Sequence, residues 1–129
     1  MFSTVPTVLV IDDEHEILNI LKEELQEKGH KVELAQNGDE AIEKLNTDQC
    51  YDLVLSDFRM EPGDGLKVLE QVNRFSADDR PAFVFMTGYA DISEQEAYEK
   101  GAESFFAKPF DVDELVETIE KILKEKKNK

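Results

Sequence analysis

The sequence predicts an α/β domain: a doubly wound, five-stranded parallel sheet in the order 2-1-3-4-5, with helices on both faces. Five short apolar runs alternate with segments of helical period, the pattern of repeated β-α units. Three of the runs are nearly continuous hydrophobes, as strands covered on both faces should be, and a fourth alternates as an edge strand does. The chain has 129 residues, 40% of them apolar, which suits one domain able to bury about two-thirds of the surface that its unfolded form exposes.

The first strand is "TVLVI" (Thr7–Ile11). Ile17, Leu18, Leu21 and Leu25 then recur at helical spacing, and Gly29 supplies a stop. In "KVELA" (Lys31–Ala35) the apolar Val32 and Leu34 alternate with Lys31 and Glu33, which puts this strand at an edge. Ala41, Ile42 and Leu45 mark a short second helix, and "LVLS" (Leu53–Ser56) is the third strand. Leu66, Leu69 and Val72, joined by Val68 and Phe75, mark a third helix, followed by the strand "AFVFMT" (Ala82–Thr87). The segment "DISEQEAYEKGA" offers only Ile92, Ala97 and Tyr98 as sizeable apolar side chains. A helix with a shallow, mobile buried face is expected there. "SFFA" (Ser104–Ala107) is the fifth strand, and Val112, Leu115, Val116, Ile119, Ile122 and Leu123 form the cleanest helical stripe. With the second strand at an edge, right-handed crossovers fit the order 2-1-3-4-5 best, and ligands then bind at the carboxyl ends of the strands.

Thirty acidic residues against fifteen basic ones give a formal net charge of −15. Such a surface repels phosphate backbones and anionic lipid, which argues against direct nucleic-acid or membrane binding. Cys50 is the only cysteine, so neither an internal disulfide nor a cysteine-built metal site can form, and it reads as an ordinary thiol. The longest apolar stretch, Ala82 to Met86, has five residues, far too few to span a bilayer. "MFSTVPTVLVIDD" lacks a basic region and turns acidic, unlike a secretory signal. A cytoplasmic location is expected. His15 and His30 read as solvated, and two histidines make a histidine metal site an unfavoured reading.

The chemistry is concentrated at the strand ends. Strand one ends in Asp12 and Asp13, strand three in Asp57, strand four in Thr87, and strand five in Lys108 followed by Pro109. Strands one and three are neighbours in the expected order, so three carboxylates should converge. Two unit charges about 4 Å apart repel by roughly 4 kcal/mol at an effective dielectric near 20. Oxygen-only ligation with room for water and a phosphate oxygen suits magnesium. A metal, the Lys108 ammonium and the Thr87 hydroxyl around an exposed Asp57 carboxylate are the parts needed to place a phosphoryl group on that aspartate. Each residue alone has a plainer reading: Asp12–Asp13 as a helix cap, Asp57 and Thr87 as turn residues, Lys108 as nothing in particular. What outweighs these is that all of them fall at one edge of one sheet.

The motifs "VLVIDDE", "LVLSDFRM" with "DG" soon after, "FVFMTGYA", "GAESFFAKPF" and the final amphipathic helix resemble the receiver domain of two-component response regulators, over residues 7 to 125. The resemblance implies the flavodoxin-like receiver fold across 1–129, with a core of about 7–125 and a basic tail at 124–129. It implies Asp57 as phosphoacceptor, and a Mg2+ site made by Asp12, Asp13, Asp57 and the Arg59 carbonyl. Thr87 resembles the switch hydroxyl, Lys108 the phosphate-binding lysine, and the Lys108–Pro109 bond is expected to be cis. Phe105 occupies the switch-aromatic position, where tyrosine is frequent, so its ring can turn but has no hydroxyl to bond. Gly88 stands where alanine is common, which should loosen that loop. Pro62 falls one place later than the usual methionine-proline pair, and Arg59 and Tyr89 are bulkier than many members carry. Those two are expected to shield the phosphate and slow its hydrolysis.

The function implied is a phosphorylation-controlled switch that catalyses its own phosphorylation and dephosphorylation. It would take phosphate from a histidine kinase or histidine phosphotransfer protein and remodel the face made by the fourth helix, fifth strand and fifth helix. That face would meet a downstream protein, an output domain or a second copy in a dimer. An aspartate-nucleophile phosphatase of the haloacid dehalogenase type needs a second aspartate two residues on, where this chain has Arg59. A flavin module needs a phosphate loop after strand one, where "DDEHE" would repel phosphate. A phosphate-free receiver would lack a site residue, and none is missing. The chain stops just after the fifth helix, so a stand-alone regulator and a receiver cut from a longer protein both stay open.

Overall fold

The computed structural model describes residues 5–88 and 92–127. Strands and helices alternate throughout: β1 (Thr7–Ile11), α1 (His15–Glu27), β2 (Lys31–Ala35), α2 (Gly38–Leu45), β3 (Leu53–Ser56), α3 (Gly65–Val72), β4 (Ala82–Thr87), α4 (Glu94–Glu99), β5 (Ser104–Ala107) and α5 (Val112–Lys127). All five strands are parallel and ordered β2-β1-β3-β4-β5. This is the predicted topology.

Strand alternation divides the interior into two cores, one on each face of the sheet. Leu9, Ile11, Val54, Phe83 and Phe85 pack under α2, α3 and α4, against Ala41, Leu45, Val68, Leu69, Val72 and Ala97. Val8, Val10, Leu53, Leu55, Val84 and Met86 face the other way, against Leu18, Leu21 and Leu25 of α1 and Leu115, Val116, Ile119 and Leu123 of α5. Strands β1, β3 and β4 are buried along their whole length, whereas β2 alternates and β5 is half-exposed, as edge strands should be. The α1 stop works as expected. Gly29 takes φ +90° and its N–H donates to the Gln26 carbonyl (2.9 Å), a left-handed helix exit that favours glycine.

Three expectations need correction. His30 is buried, not solvated, because it sits beneath α5 with Nε2 3.0 Å from Glu120 Oε2. Tyr98 is 45% exposed, so the buried face of α4 rests on Ala97, with Ile92 just ahead of the helix. Phe75 is partly buried against the core but lies beyond α3, which ends at Val72 with Asn73 as its cap. Among the described residues no helix is long and apolar enough to cross a membrane.

Candidate functional site

The order β1-β3-β4-β5 brings four strand ends to one edge of the sheet. Asp12 follows Ile11, and its N–H donates to the Ala35 carbonyl of β2 (3.1 Å). Asp57 follows Ser56, and its N–H donates to the Ile11 carbonyl (2.9 Å), so the two aspartates leave adjacent strands side by side. Thr87 is the last residue of β4, and the Lys108 N–H donates to its carbonyl (2.8 Å), which sets the lysine beside it. One oxygen each from Asp12, Asp13, Glu14 and Asp57 lies within 4.8 Å of the others. No other group of three or more His, Cys, Asp or Glu side chains among the described residues comes so close.

Lys108 draws the cluster together. Its Nζ donates to Asp12 Oδ2 (2.9 Å), Asp57 Oδ2 (3.0 Å) and Glu14 Oε1 (3.2 Å). The Phe58 N–H donates to Asp57 Oδ1 (2.8 Å) and the Glu14 N–H to Asp12 Oδ1 (2.9 Å), so both aspartates are oriented from behind by backbone. Asp57 itself is 3% exposed, a correction to the expectation of an exposed carboxylate. It forms the floor of a crevice whose rim is Asp13 and Glu14, both exposed, and Lys108 covers its Oδ2. Burial pushes the Asp12 carboxyl up to about 6 despite its hydrogen bonds to Lys108 and the Glu14 N–H, with the Asp57 charge adding to the rise. Burial raises Asp57 in the same direction. Burial works against the Lys108 ammonium as well, but its bonds to Asp12 and Asp57 more than offset this and hold it above the usual lysine range. Carboxylates so crowded are costly to ionise together, and a divalent cation relieves that cost. The donors are hard oxygens, and exposed Asp13 leaves room for water, so the residues fit magnesium.

The crevice opens onto a cleft of about 470 Å³ lined by Asp13, Arg59, Met60 and Glu61. Larger hollows lie along α5 (about 590 and 670 Å³) and beside α2 (about 540 Å³), but among the described residues the close-set group of carboxylates lies at none of them. Arg59 is exposed on the loop after Asp57, while Met60 packs into the core. Phe105 is half-buried on β5, paired in register with Phe85 and packed on the α4 side of the sheet. The Lys108–Pro109 peptide is cis, as is Glu61–Pro62. Tyr89 lies outside the described residues. Glu14 is the member the sequence reading missed. It reads as a helix-start residue, although the third acidic position in "DDE" was a signal that more than two carboxylates reach this edge.

Against known proteins, residues 8–120 match the family described as the response regulator receiver domain. The chain belongs to that family. Sporulation initiation phosphotransferase F of Bacillus subtilis is 34% identical over 122 residues, an alignment covering 94% of this chain and 96% of that protein. The transcriptional regulatory protein ZraR of Escherichia coli is 36% identical over 119 residues, covering 90% of this chain but 26% of its own length. Among solved structures, the receiver domain protein (CheY-like) of Methanospirillum hungatei superposes with a TM-score of 0.85 at 25% identity, covering 97% of this chain and 98% of that one. The response regulator TrrA of Thermotoga maritima, solved in complex with Mg2+ and BeF, gives a TM-score of 0.78 at 34% identity, covering 92% and 99%. This receiver is therefore a signalling switch of two-component systems, of the phosphoacceptor kind.

Proposed function

We propose that Asp57 is the residue that becomes phosphorylated, and that this receiver catalyses both the gain and the loss of its phosphoryl group. The observation carrying the reading is the Asp57 carboxylate held between the Phe58 N–H and the Lys108 ammonium, with three further carboxylates within 4.8 Å. An Asp57 oxygen attacks phosphorus as the P–N bond to a donor imidazole breaks. The electron pair of that bond returns to the ring nitrogen, which takes up a proton, and Asp57 becomes an acyl phosphate. Lys108 offsets charge on the transferring oxygens, and the Thr87 hydroxyl donates to one of them. Asp12, Asp13, Asp57 and the Arg59 carbonyl would hold magnesium, which when bound neutralises further charge on the phosphoryl group. The donor is a histidine kinase or histidine phosphotransfer protein, met in the cytoplasm where this chain is expected to act.

In the phosphorylated state Thr87 is drawn toward the phosphate and Phe105 turns inward, remodelling the α4-β5-α5 face for a downstream protein, an output domain or a second copy. With a net charge of −15 this domain does not itself take nucleic acid or membrane. Arg59 and Tyr89 modulate how long the phosphate lasts. Incubation with a small phosphodonor and magnesium should add one phosphate by mass, lost in Asp57→Asn or on chelation. Unchanged incorporation in Asp57→Asn would reject the assignment.

A further inference from the structure

The loop after Asp57 is fastened to a neighbouring helix by backbone contacts that no reaction step above uses. At its base, the Gly65 N–H donates back to the Phe58 carbonyl (2.7 Å), closing residues 58–64 into a compact loop. At its outer end, the Gly38 N–H donates to the Gly63 carbonyl (2.8 Å) and the Asp39 N–H to the Pro62 carbonyl (3.1 Å). These donors belong to the first turn of α2, where N–H groups have no partner within the helix. The next one, Glu40 N–H, is taken by the Asn37 side chain (2.8 Å), so the loop has replaced water at the other two. Lys67 of α3 adds an exposed ion pair to Asp39 (3.2 Å).

The approach demands glycine from both sides. A Cβ on Gly38 would fall inside the Gly63 carbonyl oxygen, and Gly38 is buried. A Cβ on Gly63, which takes φ +83°, would meet the Asp39 N–H nitrogen at 2.8 Å. The loop is thus pinned at Asp57 by the sheet and at Gly63 by α2, with Arg59 and Met60 between the two pins. So short a segment between fixed ends has little slack, and a displaced Gly63 is passed back toward Arg59.

We infer that the first turn of α2 is a positioning element for the phosphoacceptor site, with Gly38 and Asp39 setting where the Arg59 carbonyl stands relative to the aspartates. The inference rests on the reading of Asp57 and Arg59 just proposed. A contact that only stabilised the fold would contribute equally with and without magnesium. One that positions the Arg59 carbonyl sets the size of the magnesium response.

The test compares wild type, Gly38→Ala, Lys67→Met and Gly29→Ala by magnesium Kd from calorimetry, by Tm with and without magnesium, and by phosphate incorporation from a small donor. Gly38→Ala should raise the Kd about tenfold, the lower end of what disturbing a metal's supporting shell costs, and shrink the magnesium-induced rise in Tm. Lys67→Met removes a positive charge, which by field alone would tighten a cation. Weaker binding in that variant, by a smaller factor, therefore reports position. Gly29→Ala strains a left-handed glycine at the far end of the sheet and should lower Tm while keeping the full magnesium response. A Gly38→Ala protein with wild-type Kd and wild-type magnesium response overturns the inference, whatever its metal-free Tm. If Gly38→Ala does not fold, Lys67→Met decides, and unchanged or tighter binding overturns it. A wild type that neither responds to magnesium nor takes phosphate overturns the functional reading instead, and this inference with it.

Discussion

Under the proposed function, Arg59 would govern the lifetime of the phosphorylated state together with Tyr89. Arg59 stands exposed on the cleft beside Asp13, and under the proposed function water for hydrolysis would approach Asp57 by way of that cleft. A guanidinium there can reach a phosphoryl oxygen or lie against an aromatic ring, and Tyr89 supplies a ring two residues after Thr87. Phosphorylated protein freed of donor should therefore decay several-fold faster in Arg59→Ala and in Tyr89→Ala, with less than additive loss of barrier in the double variant. Equal or slower decay in all three would reject a joint shield. At this scale the meeting of Asp12, Asp13, Asp57 and Lys108 at one edge of the sheet was legible in the sequence, because a strand that stops at a carboxylate declares its own geometry. The burial of Asp57 and the reach of Glu14 to Lys108 were not. Both depend on a lysine 51 and 94 residues away in the chain. His30 escaped for the same reason, its carboxylate neighbour lying on α5.

Among the helices, α4 is the least secured. It has six residues and buries one of them, Ala97, whereas α1 buries Leu18, Leu21 and Leu25. Its capping box at Ser93 and Glu96 secures the first turn locally, by contacts of 3.0 to 3.5 Å, but adds no tertiary packing. Hydrogen exchange should find amides 94–99 opening at least about tenfold more readily than those at the centre of α1, and magnesium with a phosphoryl mimic should alter their rate. Equal protection in α1 and α4 would mean that this helix is not the pliable part of the switch face. The weak stripe was readable from sequence because Ile92, Ala97 and Tyr98 are the only sizeable apolar candidates in it. That Tyr98 points to solvent was not, since helical spacing alone allows it either side.

The whole molecule carries its net charge of −15 on a compact surface, and like charge on a folded chain opposes compaction. Raising salt from about 10 mM to about 0.1 M shortens the screening length from about 30 Å to about 10 Å and should raise Tm by a few degrees without magnesium. A Tm that falls over that range would show the internal ion pairs of the crevice outweighing surface repulsion. Topology was the most legible property of all, since alternation, edge pattern and handedness leave few arrangements for five parallel strands. The latch between α2 and the loop after Asp57 was the least, because it is made of backbone groups that no side-chain pattern announces. The bond from Lys108 to Asp12 spans 96 positions of the chain and closes the crevice with its last strand. On a ribosome, then, the acidic pocket exists as an idea of the sequence long before its counter-ion has been translated. A nascent chain interrupted before β5 presents its acids without the cation that gathers them, so the crevice is completed only once β5 and Lys108 have been made.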